Sequence, residues 1–236
     1  MKNRFKIFSL IISVFAGIYL SSCATLGSVY NQGSYTIEKV DLSLPDLQIT
    51  TNFEEDYEKR LFYPKEFAVK SGSDIVINTT QFAKDGTPVG LIIKDGKVIY
   101  PALKKYAAIA FFKEEKGWRA EIFDSQEEII EKYGPNELPE LAMGGFWTIL
   151  RDGIEYEFLD RKDYRTAVAI CDGGKTLLIM VGKKLSFGDC AKIFKEQGAD
   201  VAMEFDGGSS SQMVINGRNV LPGVKRRVPA VIGFRN

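Results

Sequence analysis

The fold is decided by the stretch Arg165–Gly217, which reads RTAVAICDGGKTLLIMVGKKLSFGDCAKIFKEQGADVAMEFDGGSSSQMVING. Its apolar runs predict strands at residues 166–170, 176–181 and 200–205. The second run is almost wholly apolar, which is typical of a strand buried on both faces. Residues 186–197 have the spacing of an amphipathic helix, with Ser186 as a candidate N-cap and Gly198 as the glycine that ends it. The stretch therefore predicts a helix packed on a central sheet.

Outside this stretch the sequence is rich in hairpin signals. Pairs of the Asp-Gly or Asn-Gly type, which favour two-residue hairpin turns, stand between short apolar runs at residues 95–96, 152–153 and 216–217. Further strands are predicted at residues 73–78, 107–112, 118–122 and 228–234, and a helix at residues 125–133. The predicted class is α+β, a single domain with a hairpin-rich central mixed sheet and packed helices.

The N-terminus has the pattern of an export signal. Three basic residues precede an uncharged run at residues 7–20, which is shorter than the roughly 20 residues of a membrane-spanning helix. The run ends in Leu20-Ser21-Ser22-Cys23, which resembles the bacterial lipobox, where a peptidase cuts before a cysteine that receives acyl chains. An uncleaved anchor and an ordinary signal peptide are the alternatives.

The domain boundaries follow from the lipobox. We predict a signal peptide at residues 1–22, a lipidated Cys23 with a polar, flexible tether over residues 23–45, and a folded domain over residues 46–236. The location predicted is the bacterial cell envelope, with the membrane as a partner through the lipid. Ala24 follows the cysteine where an Asp would argue for inner-membrane retention, so the outer membrane or cell surface is favoured.

Composition excludes several classes of function. The chain has no histidine, which removes Ser-His-Asp and Cys-His nucleophile systems and histidine-based metal sites. Lys+Arg and Asp+Glu both total 31, so no net charge attracts nucleic acid, and none is predicted as a partner. After lipidation Cys171 and Cys190 remain, and an extracytoplasmic setting allows either a disulfide or two buried free thiols.

The segment Glu204–Ser211 is the best candidate for a functional loop. Asp206 follows a buried strand and precedes Gly207-Gly208-Ser209-Ser210-Ser211, which offers unobstructed backbone N–H groups and hydroxyls suited to an oxyanion or phosphate. A plain tight turn is the alternative. Gly144-Gly145-Phe146-Trp147 suits sugar stacking or core packing. Arg165 and Asn78 stand at strand ends, where the arginine could grip a phosphate or simply mark a solvated strand boundary.

Four segments, in the same order, resemble the phosphodiester glycosidase family. They are INTTQF with the following PVGLIIKDGKV, GGFWTILRDG, the stretch Arg165–Gly217, and RRVPAVIGF at the end. The resemblance implies hydrolysis of a sugar-1-phosphodiester to free sugar and a phosphomonoester. The positions that match its motifs are Asn78, Gly144, Gly145, Arg165, Thr166, Asp206, Gly207, Gly208, Ser210, Ser211 and, in the last strand, Arg227.

The chain departs from the family pattern at Thr80, Gln81, Glu204 and Ser209, where the family has Gly, an aromatic residue, Asn and Gly. These changes leave open a second hypothesis, a surface lipoprotein that binds glycans or phosphate without turnover. Convergence of Asn78, Arg165, Asp206 and Ser210 on one pocket would favour the enzyme. A pocket plugged by Thr80, Gln81 or Ser209 would favour this binding protein.

A catalytic hypothesis follows for the enzyme. Arg165 and the loop stabilise the leaving phosphate, and Asp206 activates water or binds sugar hydroxyls. Glu204, two residues away on the same strand, is the candidate second catalytic carboxylate. No cofactor is predicted, and no loop has the spacing of a dedicated divalent metal site.

Overall fold

The computed structural model describes residues 30–31, 33–53, 61–223 and 226–236. The predicted signal peptide and Cys23 lie outside these residues. Within them, no helix combines the length and apolar character needed to cross a membrane.

The described chain forms strands joined mostly by short turns, with three helices. The strands are β1 (Tyr30–Asn31), β2 (Tyr35–Asp41), β3 (Gln48–Thr51), β4 (Ile75–Asn78), β5 (Ile92–Lys94), β6 (Lys97–Tyr100), β7 (Ala108–Lys113), β8 (Trp118–Phe123), β9 (Leu141–Gly144), β10 (Thr148–Arg151), β11 (Ile154–Glu155), β12 (Asp163–Cys171), β13 (Thr176–Leu185), β14 (Val201–Glu204), β15 (Met213–Ile215), β16 (Arg218–Asn219) and β17 (Val231–Arg235). The helices are α1 (Pro64–Ser71), α2 (Gln126–Tyr133) and α3 (Phe187–Glu196).

The strands form three sheets. Their orders are β1-β2-β13-β12-β14-β10-β11, β16-β15-β4-β17-β3 and β6-β5-β9-β7-β8. Every strand pair among the described residues is antiparallel. The prediction of one central mixed sheet is therefore wrong. Hairpins return each strand antiparallel to its neighbour. The crossovers through α1, α2 and α3 also lead to strands that pair antiparallel, as β14 does with β12 after α3.

The three sheets turn their inner faces towards one core, and each carries a helix on its outer face. Alternation along the strands sets the two faces, because successive side chains point to opposite sides. In β4, Ile75 and Ile77 belong to the central core, while Val76 packs with Phe67 of α1. The outer face of the first sheet packs on α3, and that of the third sheet packs on α2.

Local chemistry explains the predicted turns and caps. Asp95, Asp152 and Asn216 all have positive φ, as does the glycine that follows each of them, which is the geometry of tight hairpins. Helix α3 begins with a capping box in which Ser186 and Asp189 exchange hydrogen bonds with each other's backbone amides. These features confirm the hairpins and the helix.

The predicted tether contains a strand of the first sheet. β2 pairs with β13 over its whole length, and Ile37, Val40 and Leu42 are buried. The boundary at residue 46 is therefore wrong, because the first sheet of the domain already includes β1 and β2. The segment looked polar because its inward positions include Thr36 and Glu38, which are also buried.

Candidate active site

Asn78 joins three segments where the first and second sheets meet. Its side-chain oxygen accepts hydrogen bonds from the Thr166 hydroxyl at 2.8 Å and from the backbone N–H of Gln212 at 2.9 Å. Its amide nitrogen donates to the carbonyl of Asp206 at 2.7 Å. Both Asn78 and Thr166 are buried. The structure thus brings these two predicted residues to the Asp206 loop, but as groups that position it rather than as a ligand-binding surface.

The loop after β14 is a single 3₁₀ turn over residues 208–210. The amides of Ser210 and Ser211 close the turn on the carbonyls of Gly207 and Gly208. Within the described residues, the amides of Gly208 and Ser209 make no hydrogen bond to a backbone carbonyl. These two N–H groups are therefore available to bind an anion. Gly208 has a φ of +58°, a conformation that side chains rarely adopt, and it lies beside the carboxylate of Asp163.

Asp206 lies half-buried at the end of this strand, with its backbone N–H bonded to the Thr79 carbonyl at 2.9 Å. Burial raises the pKa of its carboxyl above the ordinary value. The Ser210 hydroxyl, the charge of Arg226 and the Gly207 amide oppose that shift in pKa. The carboxyl is therefore poised to exchange protons under conditions where an exposed aspartate is already ionised.

Arg165 is held rigidly beside the loop. Its Nε donates to the Leu185 carbonyl at 3.1 Å and one Nη donates to the Arg161 carbonyl at 2.6 Å. The guanidinium stacks on the Phe187 ring, 4.0 Å from the ring centre. The other Nη lies 3.7 Å from where a side chain on Gly207 would begin. The structure thus places a positive charge against the loop, as the sequence predicted.

A second arginine approaches the loop from the other side, and it is Arg226 rather than the predicted Arg227. Arg226 stacks over Phe82 at 4.4 Å and its Nη donates to the Ser209 hydroxyl at 3.4 Å. Arg227 lies instead over Tyr63, 5.4 Å from the ring centre. Consecutive residues of an extended segment point in opposite directions, and the sequence alone did not indicate which one faces the site.

The loop forms one wall of a cavity of about 490 Å³, within the usual range for small-molecule sites. The polar part of its lining is formed by Arg161, Asp163, Arg165, Asp206, Gly207 and Gly208. The apolar part is formed by Phe146, Trp147, Phe158, Leu159, Phe187 and Phe205. Sequence reasoning did not single out Asp163, Phe158 or Phe187. All three lie at or beyond element ends, and only the tertiary fold brings them to the loop.

Gly144 and Gly145 serve close packing. A side chain on Gly145 would begin 2.4 Å from the Glu204 carbonyl, and one on Gly144 would begin 2.6 Å from the amide of Gln126. Both glycines are buried and absent from the cavity wall. The structure therefore does not place either glycine at the cavity: Gly144 allows close packing against Gln126, and Gly145 allows it against the end of β14.

Glu204 is not the second carboxylate of the cavity. It is fully buried, and alternation along β14 turns it away from the central core towards α3, near Cys190. Neither carboxyl oxygen makes a hydrogen bond of normal geometry within the described residues. Burial raises its pKa to about 8, and the nearby Arg165 charge and Cys190 thiol only partly offset this. The predicted catalytic role of Glu204 is therefore contradicted, and Asp163 is the other carboxylate at the cavity.

We expect Glu204 to make the domain less stable as the pH rises. With a pKa of about 8 when folded against 4.5 ordinarily, it binds a proton in the folded state that the unfolded chain releases. This contribution to stability is complete below pH 4.5 and is lost as the pH rises to about 8, by up to roughly 1.4 kcal/mol per pH unit. Glu38, whose pKa is raised to about 7, also makes the free energy of unfolding fall as the pH rises.

Urea unfolding of the wild type and Glu204→Gln between pH 5 and 9 measures this effect. The neutral glutamine should leave a shallower fall of unfolding free energy with pH, since Glu38 and Asp206, whose pKa values are also raised, still contribute. Superimposable pH profiles for the two proteins would show that Glu204 is ionised in the folded state.

Several buried polar groups stand near the loop without a hydrogen-bond partner of normal geometry within the described residues. They are the hydroxyls of Thr80, Ser210 and Ser211 and the side-chain oxygen of Gln81. Buried polar groups without a partner are few in folded proteins, and each one needs a physical explanation. Ser209, by contrast, is exposed. The structure therefore places Ser210 and Ser211 in the interior and Ser209 at the surface.

Cys171 and Cys190 are both buried and carry free thiols. Burial raises the pKa of Cys171 to about 11 and that of Cys190 well above the ordinary value, so neither is a reactive thiolate. Within the described part of the chain, no group of three or more acidic or cysteine side chains is arranged to hold a metal ion.

Solved structures share this fold. The catalytic domain of zebrafish N-acetylglucosamine-1-phosphodiester alpha-N-acetylglucosaminidase, auto-inhibited by its pro-peptide, superposes with a TM-score of 0.68 at 17% identity, over 89% of this chain and 81% of that one. A hypothetical protein from Synechocystis gives 0.61 at 13% identity, over 87% and 60% of the two chains. A putative exported protein from Burkholderia pseudomallei gives 0.59 at 10% identity, over 86% and 74%.

Sequence similarity indicates the family as well as the fold. No curated protein sequence matches the chain significantly. The family model of the phosphodiester glycosidases matches residues 71–235. This range includes Asn78, Arg165, the Asp206 loop, Arg226 and Arg227. The chain belongs to the phosphodiester glycosidase family.

Proposed function

We propose that this protein hydrolyses the bond between the sugar and the phosphate of a sugar-1-phosphodiester, releasing free sugar and a phosphomonoester. One observation carries the proposal. The cavity holds two half-buried carboxylates, Asp206 and Asp163, and Asp206 lies next to the fixed guanidinium of Arg165 and the open backbone of Gly207 and Gly208. An anion and an activated water can meet there.

Arg165 and the turn bind the phosphate. The arginine is prevented from moving by two backbone carbonyls and the Phe187 ring, so little reorganisation is needed when negative charge develops. The amides of Gly208 and Ser209, which make no backbone hydrogen bond in the part of the chain that the structure describes, add donors on the same loop. Arg226, on the far side of Ser209, adds a second positive charge.

The hydrolysis needs no strong acid to protonate the leaving group. The oxygen of water forms a bond to the anomeric carbon and its proton passes to Asp206. The bond between the anomeric carbon and the phosphate oxygen breaks, and its electrons stay on the phosphate. A phosphate monoester has a second pKa of about 6, so it departs with little protonation. Ordinary glycosidases need a second carboxylic acid for that step.

Of the four residues whose convergence would favour an enzyme, Arg165 and Asp206 line the cavity, and Asn78 and Ser210 do not. The altered family positions do not block the cavity. Thr80, Gln81 and Ser209 are all absent from the residues that line the cavity. None of them plugs it, so the feature that would have favoured a non-catalytic binding protein is not found in the described structure. Ser209 instead supports Arg226.

The test of this function is release of free sugar from a panel of sugar-1-phosphodiesters that covers common hexoses and hexosamines. We expect turnover of at least one of them, and strong loss in Arg165→Met, which keeps an unbranched apolar stem and removes the charge and the N–H donors. A folded wild-type protein that binds panel members and releases no sugar would be a binding protein instead.

The protein acts at the bacterial envelope, held by lipid on Cys23. The uncharged run and the lipobox at Cys23 support this placement. Several acyl chains on one residue anchor firmly, because a single chain binds membranes only marginally.

We expect mass spectrometry of the protein from bacterial membranes to find acyl chains on an N-terminal Cys23. In Cys23→Ser the acyl mass should vanish and the protein should leave the membrane fraction. Cys171→Ser is the matched control, since that buried thiol lies inside the domain. A wild-type chain that retains residues 1–22 and lacks acyl chains would refute the anchor.

A further inference from the structure

An aromatic column leads away from the candidate phosphate site. The Arg165 guanidinium lies 4.0 Å from the centre of the Phe187 ring, and that ring meets Phe158 edge-on at 5.1 Å between centres. All three side chains line the same cavity. A group attached to a phosphate at Arg165 would therefore have an apolar path along Phe187 and Phe158 towards solvent.

The outer end of this path is unusually exposed. Phe158 is 36% exposed and Leu159 is 89% exposed, although both line the cavity. Their segment connects β11 to β12 and is tied to α3 near each end, by Glu155 with Lys195 at 3.2 Å and by Lys162 with Asp189 at 3.7 Å. The two ion pairs link the segment to α3, and Phe158 packs against Phe187 at the start of that helix.

The two ends of the cavity differ in chemistry, and this decides which part of the substrate each one takes. A sugar presents hydroxyls that need hydrogen-bond partners, and Asp206 and Asp163 offer acceptors at the polar end. The side chains of Phe158, Leu159 and Phe187 offer neither donors nor acceptors. The apolar end therefore suits the group on the other side of the phosphate.

We infer that the Phe187–Phe158–Leu159 wall binds the aglycone and that this aglycone is an apolar chain, such as an alkyl or isoprenyl group. This rests on the proposed function. The substrate class is then a lipid-linked sugar-1-phosphate, in which Arg165 holds the phosphate and the chain lies along the wall. Contact with the chain would cover the apolar surface that Leu159 otherwise exposes to water.

A substrate series with one sugar and methyl, butyl or octyl aglycones tests the inference on the full chain. Each methylene buried against the wall should lower KM by about threefold to fourfold over the first few carbons. Leu159→Ser should lose most of this dependence on chain length. Val69→Ser is the control, because Val69 is 74% exposed on α1 and outside the cavity, and its chain-length dependence should equal that of the wild type.

Binding of methyl and octyl phosphate, which carry no sugar, separates the two proposals. By calorimetry the wild type should bind octyl phosphate at least tenfold more tightly than methyl phosphate, and Leu159→Ser should not. Turnover with no dependence on chain length, or the same dependence in Leu159→Ser as in the wild type, overturns the lipid aglycone and leaves the function standing. Tighter binding of octyl phosphate without turnover of any substrate removes the function and keeps the subsite.

Discussion

Replacement of Asp206 by Asn should reduce turnover of the best sugar-1-phosphodiester by about a thousandfold. Asparagine keeps the shape of the side chain and cannot accept the proton of water. The backbone bonds of residue 206 to Thr79 and Asn78 remain, so the loop should keep its place. Because burial raises the pKa of Asp206, wild-type activity should also fall on the acid side with a midpoint above the ordinary carboxyl value of 3.8.

Asp200→Asn is the matched control, since Asp200 is an exposed aspartate just before the same strand. It should retain wild-type turnover. Initial rates at saturating substrate, with unfolding curves to show that both variants fold, make the comparison. Turnover by Asp206→Asn within tenfold of the wild type would remove Asp206 as the base.

Replacement of Asn78 by Ala should lower the free energy of unfolding by about 3–5 kcal/mol, among the largest effects of any single change here. The truncation leaves the Gln212 amide, the Thr166 hydroxyl and the Asp206 carbonyl without their partner. Each group left unsatisfied in the interior costs about 1–3 kcal/mol. Urea unfolding at one pH measures the change.

Asn136→Ala is the control for that experiment, because Asn136 is exposed in the loop after α2. It should change the unfolding free energy by less than about 0.5 kcal/mol. A loss below 1 kcal/mol in Asn78→Ala would mean that the three bonds do not hold the loop as the structure indicates.

The fold could be predicted wherever one local signal determined one local structure. The Asp-Gly and Asn-Gly turns and the Ser186 cap specify backbone conformation by themselves, so the hairpins and α3 were identified correctly. The number of sheets could not be predicted, because an apolar strand buried in one sheet has the same sequence pattern as one buried in another. β2 was missed for a related reason, since the buried Glu38 makes an interior strand resemble a polar linker.

At the site, the sequence predicted the loop and misjudged the direction of individual side chains. Asp206 and Arg165 stand at strand ends and lie in the cavity wall as expected. The predicted positions of Glu204 and Arg227 were wrong, because a shift of one or two residues along a strand or extended segment decides which side a side chain faces. The apolar wall was not foreseen, since Phe158 and Phe187 are distant in sequence and meet only when the segment after β11 packs on α3.

The proposed mechanism is tested most directly by an experiment that shows which bond of the phosphodiester is cleaved. The full chain is incubated with a sugar-1-phosphodiester in ¹⁸O-labelled water, and the phosphomonoester is analysed by mass spectrometry. We expect an unlabelled phosphomonoester, because water attacks the sugar carbon and the phosphate keeps its bridging oxygen. The phosphate is decisive, since a free sugar exchanges its anomeric oxygen with water. An ¹⁸O atom in the phosphomonoester would show attack at phosphorus and contradict a glycosidase mechanism.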